Sequence, residues 1–281
     1  MHPTLFEIPL GPSRVPLFGH VLWLGSLEVA AFGALFAAAV ALGFVVTLRL
    51  GERAGLGREP LVAVLAAALF AGILGARLGY VLLHAGAVLS FGDAVSLKSG
   101  GLSGTVGLVV GALAALFVAR ARGLSAATLF DAVAPVFGIG VALTRLGCYL
   151  EGCDFGRRLS ATAPRAIARL GTFPARSHAW VEQVSSGALA PDAAASLPVH
   201  PSELYECVLA LALTGVALFV RRRSARAGDA ALAVGAGYLV LRVLVDFSRP
   251  VSADVWCARF VLLAFGALAI RVSQRARARH P

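Results

Sequence analysis

Three arginines lie inside or at the end of long apolar segments. Arg77 lies in LFAGILGARLGYVLL, Arg145 in VFGIGVALTRLGCYL and Arg242 in VGAGYLVLRVLVDF. A charged side chain at the centre of a bilayer costs about 2.5–3.5 kcal/mol on insertion scales, so such residues face a bundle interior or a watery cavity. Guanidinium groups match phosphate oxygens in a planar fork. These positions therefore indicate an anion-binding site within a membrane protein.

The composition is that of an integral membrane protein. Of the 281 residues, 58% are hydrophobic and 14% are charged, whereas average soluble domains are about 25% charged. We expect a single membrane domain over residues 1–281. The net charge of +10 comes from basic residues that cluster at the ends of apolar runs. Residues that determine membrane topology lie at such places. No basic stretch is interleaved with aromatics, so nucleic acid is not an expected partner.

The apolar runs predict an all-α polytopic protein, because a spanning helix needs about 20 apolar residues. Seven spans are predicted, and the fifth and seventh are short: 27–48, 61–83, 102–119, 126–147, 205–220, 230–247 and 256–270. The N-terminal stretch lacks the basic region and small-residue site of a cleaved signal peptide. We therefore expect the first helix to remain as an anchor.

The basic residues that flank the spans predict the orientation, because cytoplasmic loops are enriched in Lys and Arg. One side carries 13 arginines: Arg49, Arg53, Arg58, Arg120, Arg122, Arg221, Arg222, Arg223, Arg226, Arg271, Arg275, Arg277 and Arg279. The short segments on the other side carry Arg14, Lys98 and Arg249. The N-terminus is thus expected outside and the C-terminus in the cytoplasm. Residues 151–203, rich in turn-forming residues, are expected to form an extracytoplasmic insertion between helices four and five.

This topology predicts a polar chamber in the outer half of the membrane. The three arginines and Asp246 lie near the outer ends of helices two, four and six, while Glu206 opens helix five. The segment SGGLSGTVG opens helix three, and a glycine-rich helix start offers backbone N–H groups to an anion. Such a chamber suits a phospholipid headgroup. The alternative is that the arginines pair with Asp131, Glu206 or Asp246 and only hold helices together.

Five segments resemble the prolipoprotein diacylglyceryl transferase family. They are GARLGYVL (75–82), GGLSGTVG (100–107), TRLGCYLEGCDFGR (144–157), HPSELYE (200–206) and YLVLRVLVDFSRP (238–250). HPSELYE differs from the family's His-Pro-Ser-Gln-Leu-Tyr-Glu by one amide. The segments occur in order along seven matching spans, which makes the resemblance specific over nearly the whole chain.

The resemblance implies a bacterial plasma (inner) membrane enzyme of lipoprotein biosynthesis. Members transfer diacylglycerol from phosphatidylglycerol to the lipobox cysteine of a prolipoprotein signal peptide, and glycerol-1-phosphate leaves. Arg145 would contact the headgroup, and Arg242 would neutralise charge that develops on the phosphate. Neither a metal nor another cofactor is implied. Candidates for substrate binding are Arg145, Arg77, Gly101, Ser103, Gly147, Gly156, Tyr238 and Arg249.

The departures from the family pattern concern proton transfer. Thr105 stands where the family has a histidine, and a threonine is no base at neutral pH. Phe32 replaces a tyrosine, while Cys148, Glu151 and Cys153 replace Asn, Asn and Glu. Catalytic candidates are Arg242, Thr105 and the three possible bases Glu151, Glu206 and Asp246. The sequence leaves the choice among these bases open.

Some features admit two interpretations. Cys148 and Cys153 could form a disulfide in an oxidising compartment, but packing as small apolar residues is favoured. His200 is expected to shape the turn into helix five. The pairs Gly75/Gly79 and Gly107/Gly111 indicate close helix packing.

Two rival functions remain open from the sequence. One is a repurposed transferase of the same fold with another donor or acceptor, which the loss of the family histidine favours. The other is a non-enzymatic lipid-binding or transport protein, although no inverted repeat or broken-helix pair is evident.

Overall fold

A computed structural model describes residues 4–17, 20–83, 101–224 and 226–250, with side chains from residue 31 onward. Two antiparallel strands, β1 (Thr4–Leu17) and β2 (His20–Ala30), come first. The helices follow in chain order: α1 (Ala31–Arg53), α2 (Arg58–Leu83), α3 (Gly104–Ala121), α4 (Ala126–Glu151), α5 (Arg165–Leu170), α6 (His178–Ser185), α7 (Ser202–Arg223) and α8 (Asp229–Asp246).

Five of these helices, α1, α2, α3, α4 and α7, are long and apolar enough to cross a membrane. Their outward faces carry large apolar side chains such as Phe70, Leu74 and Phe117, which are 67–74% exposed. That exposure is expected of lipid-facing surfaces, because lipid tails solvate apolar side chains. The helical membrane character predicted from the sequence is therefore confirmed.

The element boundaries differ from the predictions mainly in α7 and in the segment before α1. The fifth span is not short, since α7 has 22 residues and includes three arginines at its end. The chain forms a β-hairpin before α1 that hydropathy did not predict. The seventh predicted span, 256–270, lies outside the described residues.

The described chain packs as two compact units, and the second contains residues 44–83, 101–133 and 226–228. Here glycines bring α2 and α3 into close contact. A Cβ on Gly75 or Gly79 would overlap Val110 or Val106, and one on Gly107 would overlap Ala76 and the Gly72 carbonyl. The predicted packing role of these glycines is confirmed.

The first unit contains residues 4–17, 20–43, 134–224 and 229–250. Its core joins α4, α7 and α8 through Ala142, Ala210, Leu213, Leu241 and Val245. A Cβ on Gly138 of α4 would collide with the α7 backbone, so these helices approach closely. The same three helices carry Arg145, Glu206 and Arg242, and their packing fixes where those side chains meet.

The segment between α4 and α7 folds around a small core of its own. Phe173, Ala179 and Val199 are buried there, and Tyr149 and Phe155 pack against them. Its backbone is held by side chains where regular structure is lacking. The Gln183 amide, for example, both accepts from and donates to the backbone of Leu197.

Candidate active site

Glu206 is the centre of an ion-pair cluster in the first unit. Its Oε2 lies 3.0 Å from Nε of Arg145, 2.7 Å from Nη1 of Arg242 and 3.5 Å from Nη2 of Arg249. The carboxylate has no solvent exposure, and the three arginine side chains are 13–18% exposed. Three guanidinium groups therefore share one buried carboxylate oxygen at the N-terminal end of α7.

Two further carboxylates complete the cluster. Asp246, one turn after Arg242 on α8, lies 3.2 Å from Nη2 of that arginine and is 1% exposed. Asp154 pairs with Nη1 of Arg145 and is half exposed. Asp154 is thus the solvent-facing carboxylate of the cluster, whereas Asp246 and Glu206 are buried.

The backbone fixes the three chain segments that bear these groups. The N–H of Gly156 donates to the carbonyl of His200 at 2.8 Å, and the N–H of Arg157 donates to that of Ser248 at 2.8 Å. A Cβ on Gly156 would overlap the Ser248 carbonyl, the Ser202 hydroxyl and the His200 side chain. Glycine is therefore required at 156 for the ends of α4, α7 and α8 to meet.

The cluster contains more hydrogen-bonding groups than it satisfies. Among the residues that the structure describes, Oε1 of Glu206 and both Nε and Nη2 of Arg249 are buried without a hydrogen-bond partner. Arg249 follows α8, and burial together with the charges of Arg145 and Arg242 lowers its pKa. An additional anion at this place would relieve the mutual repulsion of the arginines.

Glu203 is a site residue that the sequence analysis did not select. It is fully buried in the first turn of α7, and neither carboxylate oxygen has a hydrogen-bond partner of normal geometry within the described part of the chain. An unpaired buried carboxylate is costly, although the N-terminus of a helix favours negative charge. The sequence did contain a signal for Glu203, because this glutamate replaces the family's glutamine in HPSELYE. Asp154, which directly follows Cys153, was also not predicted as a site residue.

Arg77 belongs to the second unit, where it contacts the start of the α3 segment. Its Nη1 donates to the carbonyl of Gly101 at 2.9 Å, and its guanidinium lies 5.3 Å from the centroid of the Tyr80 ring. The N–H of Ser103 donates to the carbonyl of Ala76. The glycine-rich segment is thus bound to α2 through backbone and arginine contacts, and its predicted contact with substrate stays a prediction.

The other residues predicted for catalysis or substrate binding differ in burial and in their contacts. Thr105 is exposed at the start of α3, and Glu151 is half-buried as the last residue of α4. Tyr238 packs edge-to-face on Phe137, with ring centroids 5.1 Å apart. A Cβ on Gly147 would press on Phe32 of α1, so this glycine has a packing role.

The alternative that the arginines pair with acidic residues and hold helices together agrees with the structure in part. Arg145 and Arg242 do pair with the carboxylates of Glu206 and Asp246 and so connect α4, α7 and α8. Asp131 instead accepts a hydrogen bond of 2.6 Å from the backbone N–H of Gly228. The other partner of Arg145, Asp154, is half exposed and does not connect these helices.

His200 has the predicted role of shaping the turn into α7. Its carbonyl accepts from Gly156, its N–H donates to the carbonyl of Arg157, and its ring lies against the Tyr205 hydroxyl. Burial and the nearby Arg157 charge lower the pKa of the imidazole. Cys148 is a buried free thiol and Cys153 a half-buried one.

The chain as a whole matches a known family. The profile of the prolipoprotein diacylglyceryl transferases matches residues 20–275. The chain belongs to this family. It is 30% identical over 247 residues to a phosphatidylglycerol–prolipoprotein diacylglyceryl transferase of Bordetella avium, covering 84% of this chain and 83% of that protein. A transferase with the same name from Geobacter sulfurreducens is 30% identical over 240 residues, covering 83% and 82%.

A third relative, from Paraburkholderia xenovorans, has the same name and is 34% identical over 193 residues, 63% of this chain and 62% of its own length. The family match includes the residues of the ion-pair cluster, from Arg145 to Arg249.

Proposed function

We propose that this protein transfers the diacylglyceryl group of phosphatidylglycerol to the lipobox cysteine of prolipoproteins at the outer leaflet of the plasma membrane. The protein is a membrane transferase of the family that lipidates prolipoproteins. The observation that carries the assignment to this site is the group of three arginines on one buried carboxylate, Glu206. Its partners would be phosphatidylglycerol, signal peptides with a lipobox and the surrounding lipids.

In the proposed reaction, the thiol sulfur attacks the diacylglyceryl carbon that is bonded to the phosphate oxygen. A C–S bond forms, the C–O bond breaks, and glycerol-1-phosphate leaves with the electron pair while the thiol proton goes to a base or to solvent. Negative charge grows on the phosphate as the bond breaks. Fixed guanidinium groups in a site of low polarity stabilise such charge without reorganisation.

Arg145 is the arginine best placed to receive the phosphate. Its Nη1 is held by the half-exposed Asp154, while its Nε is held by the buried Glu206. A phosphate can therefore displace Asp154 and leave the Glu206 contact intact. The neutralising role of Arg242 would be exerted from the protein side, since that guanidinium is fixed between Glu206 and Asp246.

The ion pairs rank the three candidate bases. Glu206 and Asp246 each hold an arginine, and protonating either one would break a buried pair. Glu151 makes no ion pair within the described part of the chain and is half-buried at the end of α4. We assign proton removal to Glu151 or to solvent, assisted by the arginines, which favour the thiolate by their charge.

The seven spans, the outside N-terminus and the cytoplasmic C-terminus belong to the same proposal. The charge asymmetry of the loops supports them, and they place residues 160–195 outside and 221–228 in the cytoplasm. Single cysteines introduced in a Cys-free background would test this with a membrane-impermeant thiol reagent in intact cells. Labelling at 221–228 from outside would contradict the orientation.

Transfer to a different acceptor or from a different donor is the second candidate function. Thr105 in place of the family histidine favours it, because that position lacks a base. The test of both is complementation of a strain depleted of its own diacylglyceryl transferase, with Arg145→Ala as the inactive control. Rescue by the wild-type chain alone supports lipobox transfer, while expression in the membrane without rescue supports the second candidate.

A further inference from the structure

The end of α4 places two thiols side by side. Gly152 has φ +70°, and the N–H of Cys153 donates to the carbonyl of Cys148 at 3.0 Å. The N–H of Gly152 donates to the carbonyl of Tyr149 at 3.2 Å. These two bonds and the left-handed glycine define a Schellman motif, in which the side chains at the positions of Cys148 and Cys153 commonly touch.

The same turn carries the site. Arg145 lies three residues before Cys148, and Asp154 directly follows Cys153 in a left-handed conformation, φ +63°. The Sγ of Cys148 lies 4.0 Å from Oδ2 of Asp154. Any bond between the two thiols therefore acts on the short loop that holds Asp154 against Arg145.

We propose that Cys148 and Cys153 form a redox-active dithiol, and that their oxidation to a disulfide holds Asp154 on Arg145 and slows catalysis. The disulfide depends only on the geometry of the turn, whereas the effect on catalysis rests on the proposed function. A turn that already brings the two side chains together needs little backbone movement to bond them, which is the usual obstacle to a disulfide.

The chemistry proceeds by thiol–disulfide exchange with an oxidant of the disulfide class. Cys153 is the more accessible thiol, and Cys148 is 5% exposed. The Cys153 thiolate attacks the oxidant and expels one thiolate, and the Cys148 thiolate then attacks the Cys153 sulfur and expels the other. Two protein thiols become one disulfide and lose two protons, while the oxidant gains two electrons as two thiols.

The proposed effect on catalysis follows from the role of Asp154. Phosphate can reach Nη1 of Arg145 only if Asp154 moves away. A disulfide between residues 148 and 153 restricts the loop before Asp154, so the exchange of Asp154 for phosphate becomes harder. The proposed orientation places this turn outside the cytoplasm, where disulfides persist.

The test uses the full-length protein in detergent with Cys207 and Cys257 replaced by serine, so that only the pair remains. The protein is incubated in oxidised glutathione or in dithiothreitol, free thiols are blocked with a maleimide, and the peptides are analysed by mass spectrometry. We expect a peptide with Cys148 bonded to Cys153 after oxidation and two blocked thiols after reduction. Two blocked thiols, or only a glutathione adduct on Cys153, in the folded oxidised protein would overturn the pair.

Activity is measured in parallel on the same samples. We expect a several-fold fall in the transfer rate on oxidation that dithiothreitol reverses, and no such response in Cys153→Ser. A disulfide that forms without changing the rate would overturn the link to catalysis. Failure of the reduced protein to transfer at all would instead contradict the proposed function, and the mass measurement would still decide the dithiol.

Discussion

Replacing Glu206 by glutamine should destabilise the protein strongly. The substitution keeps the size of the side chain but leaves Arg145, Arg242 and Arg249 without their shared carboxylate, which is completely buried. Removing one partner of a buried ion pair costs about 3–5 kcal/mol. Since 1 kcal/mol shifts the melting temperature of a domain of this size by about 2–4 °C, we expect Glu206→Gln to lower it by roughly 6–20 °C.

Asp154→Asn is the matched control, because it removes one carboxylate charge from the same cluster at a half-exposed position. Exposed ion pairs contribute about 0–1 kcal/mol, so its melting temperature should fall by at most about 4 °C. The assay is thermal unfolding of the purified protein in detergent, followed by tryptophan fluorescence. Equal decreases in melting temperature for the two variants would refute the conclusion that Glu206 stabilises the protein by pairing with three arginines.

Glu203 affects the size of this shift. It lies one turn before Glu206 and is buried, with no hydrogen-bond partner among the described residues, so its carboxyl group can take over part of the charge compensation when Glu206 is replaced. Glu203→Gln alone should then be neutral or stabilising, while the double variant should lose more than the two single variants together. Additive effects in this cycle would show that the two carboxylates act independently.

Four further predictions concern single residues. Arg145→Lys keeps the charge but loses the planar fork, so transfer from phosphatidylglycerol should fall severely, whereas the exposed Arg169→Lys should behave as wild type. Thr105→Ala should reduce the transfer rate only mildly in the same assay. Thr105→His should preserve or raise turnover, because a general base is worth on the order of 10²–10⁴-fold in rate. A severe loss of transfer in Thr105→Ala with intact folding would show that the hydroxyl is used. Gly156→Ala should abolish folding or activity because a Cβ has no space there, and a melting curve like that of wild type would contradict the packing. The melting temperature should decrease as the pH falls below about 6.5, because the pKa of His200 is lowered in the folded protein and its protonation favours unfolding. When the melting temperature is measured against pH, this decrease should be smaller in His200→Asn.

The membrane helices could be predicted because their signal is local. The apolar runs located α2, α3 and α4 to within a few residues, since span length follows bilayer thickness. The end of α7 was missed because its last turn consists of Arg221, Arg222 and Arg223, which hydropathy excludes although a helix C-terminus favours cations. The β-hairpin was missed since pairing between strands is not visible in hydropathy.

The sequence predicted which residues belong to the site, but it did not predict the ion pairs that they form. The unusual placement of Arg145 and Arg242 in apolar runs and the order of the motifs indicated the residues. That Glu206 would bind three arginines depends on the meeting of α4, α7 and α8, which sequence spacing does not give. Asp154 and Glu203 were missed for the same reason, because their importance lies in what surrounds them.

The most direct test of the central claim is transfer of labelled diacylglycerol from phosphatidylglycerol to a synthetic lipobox peptide by the purified protein. The peptide with its cysteine replaced by serine is the control, since only a thiol is expected to react. We predict a lipidated cysteine peptide, release of glycerol-1-phosphate, and a severe fall in both products with Arg145→Lys. No lipidated peptide from folded wild-type protein, or equal product from Arg145→Lys, would contradict the account.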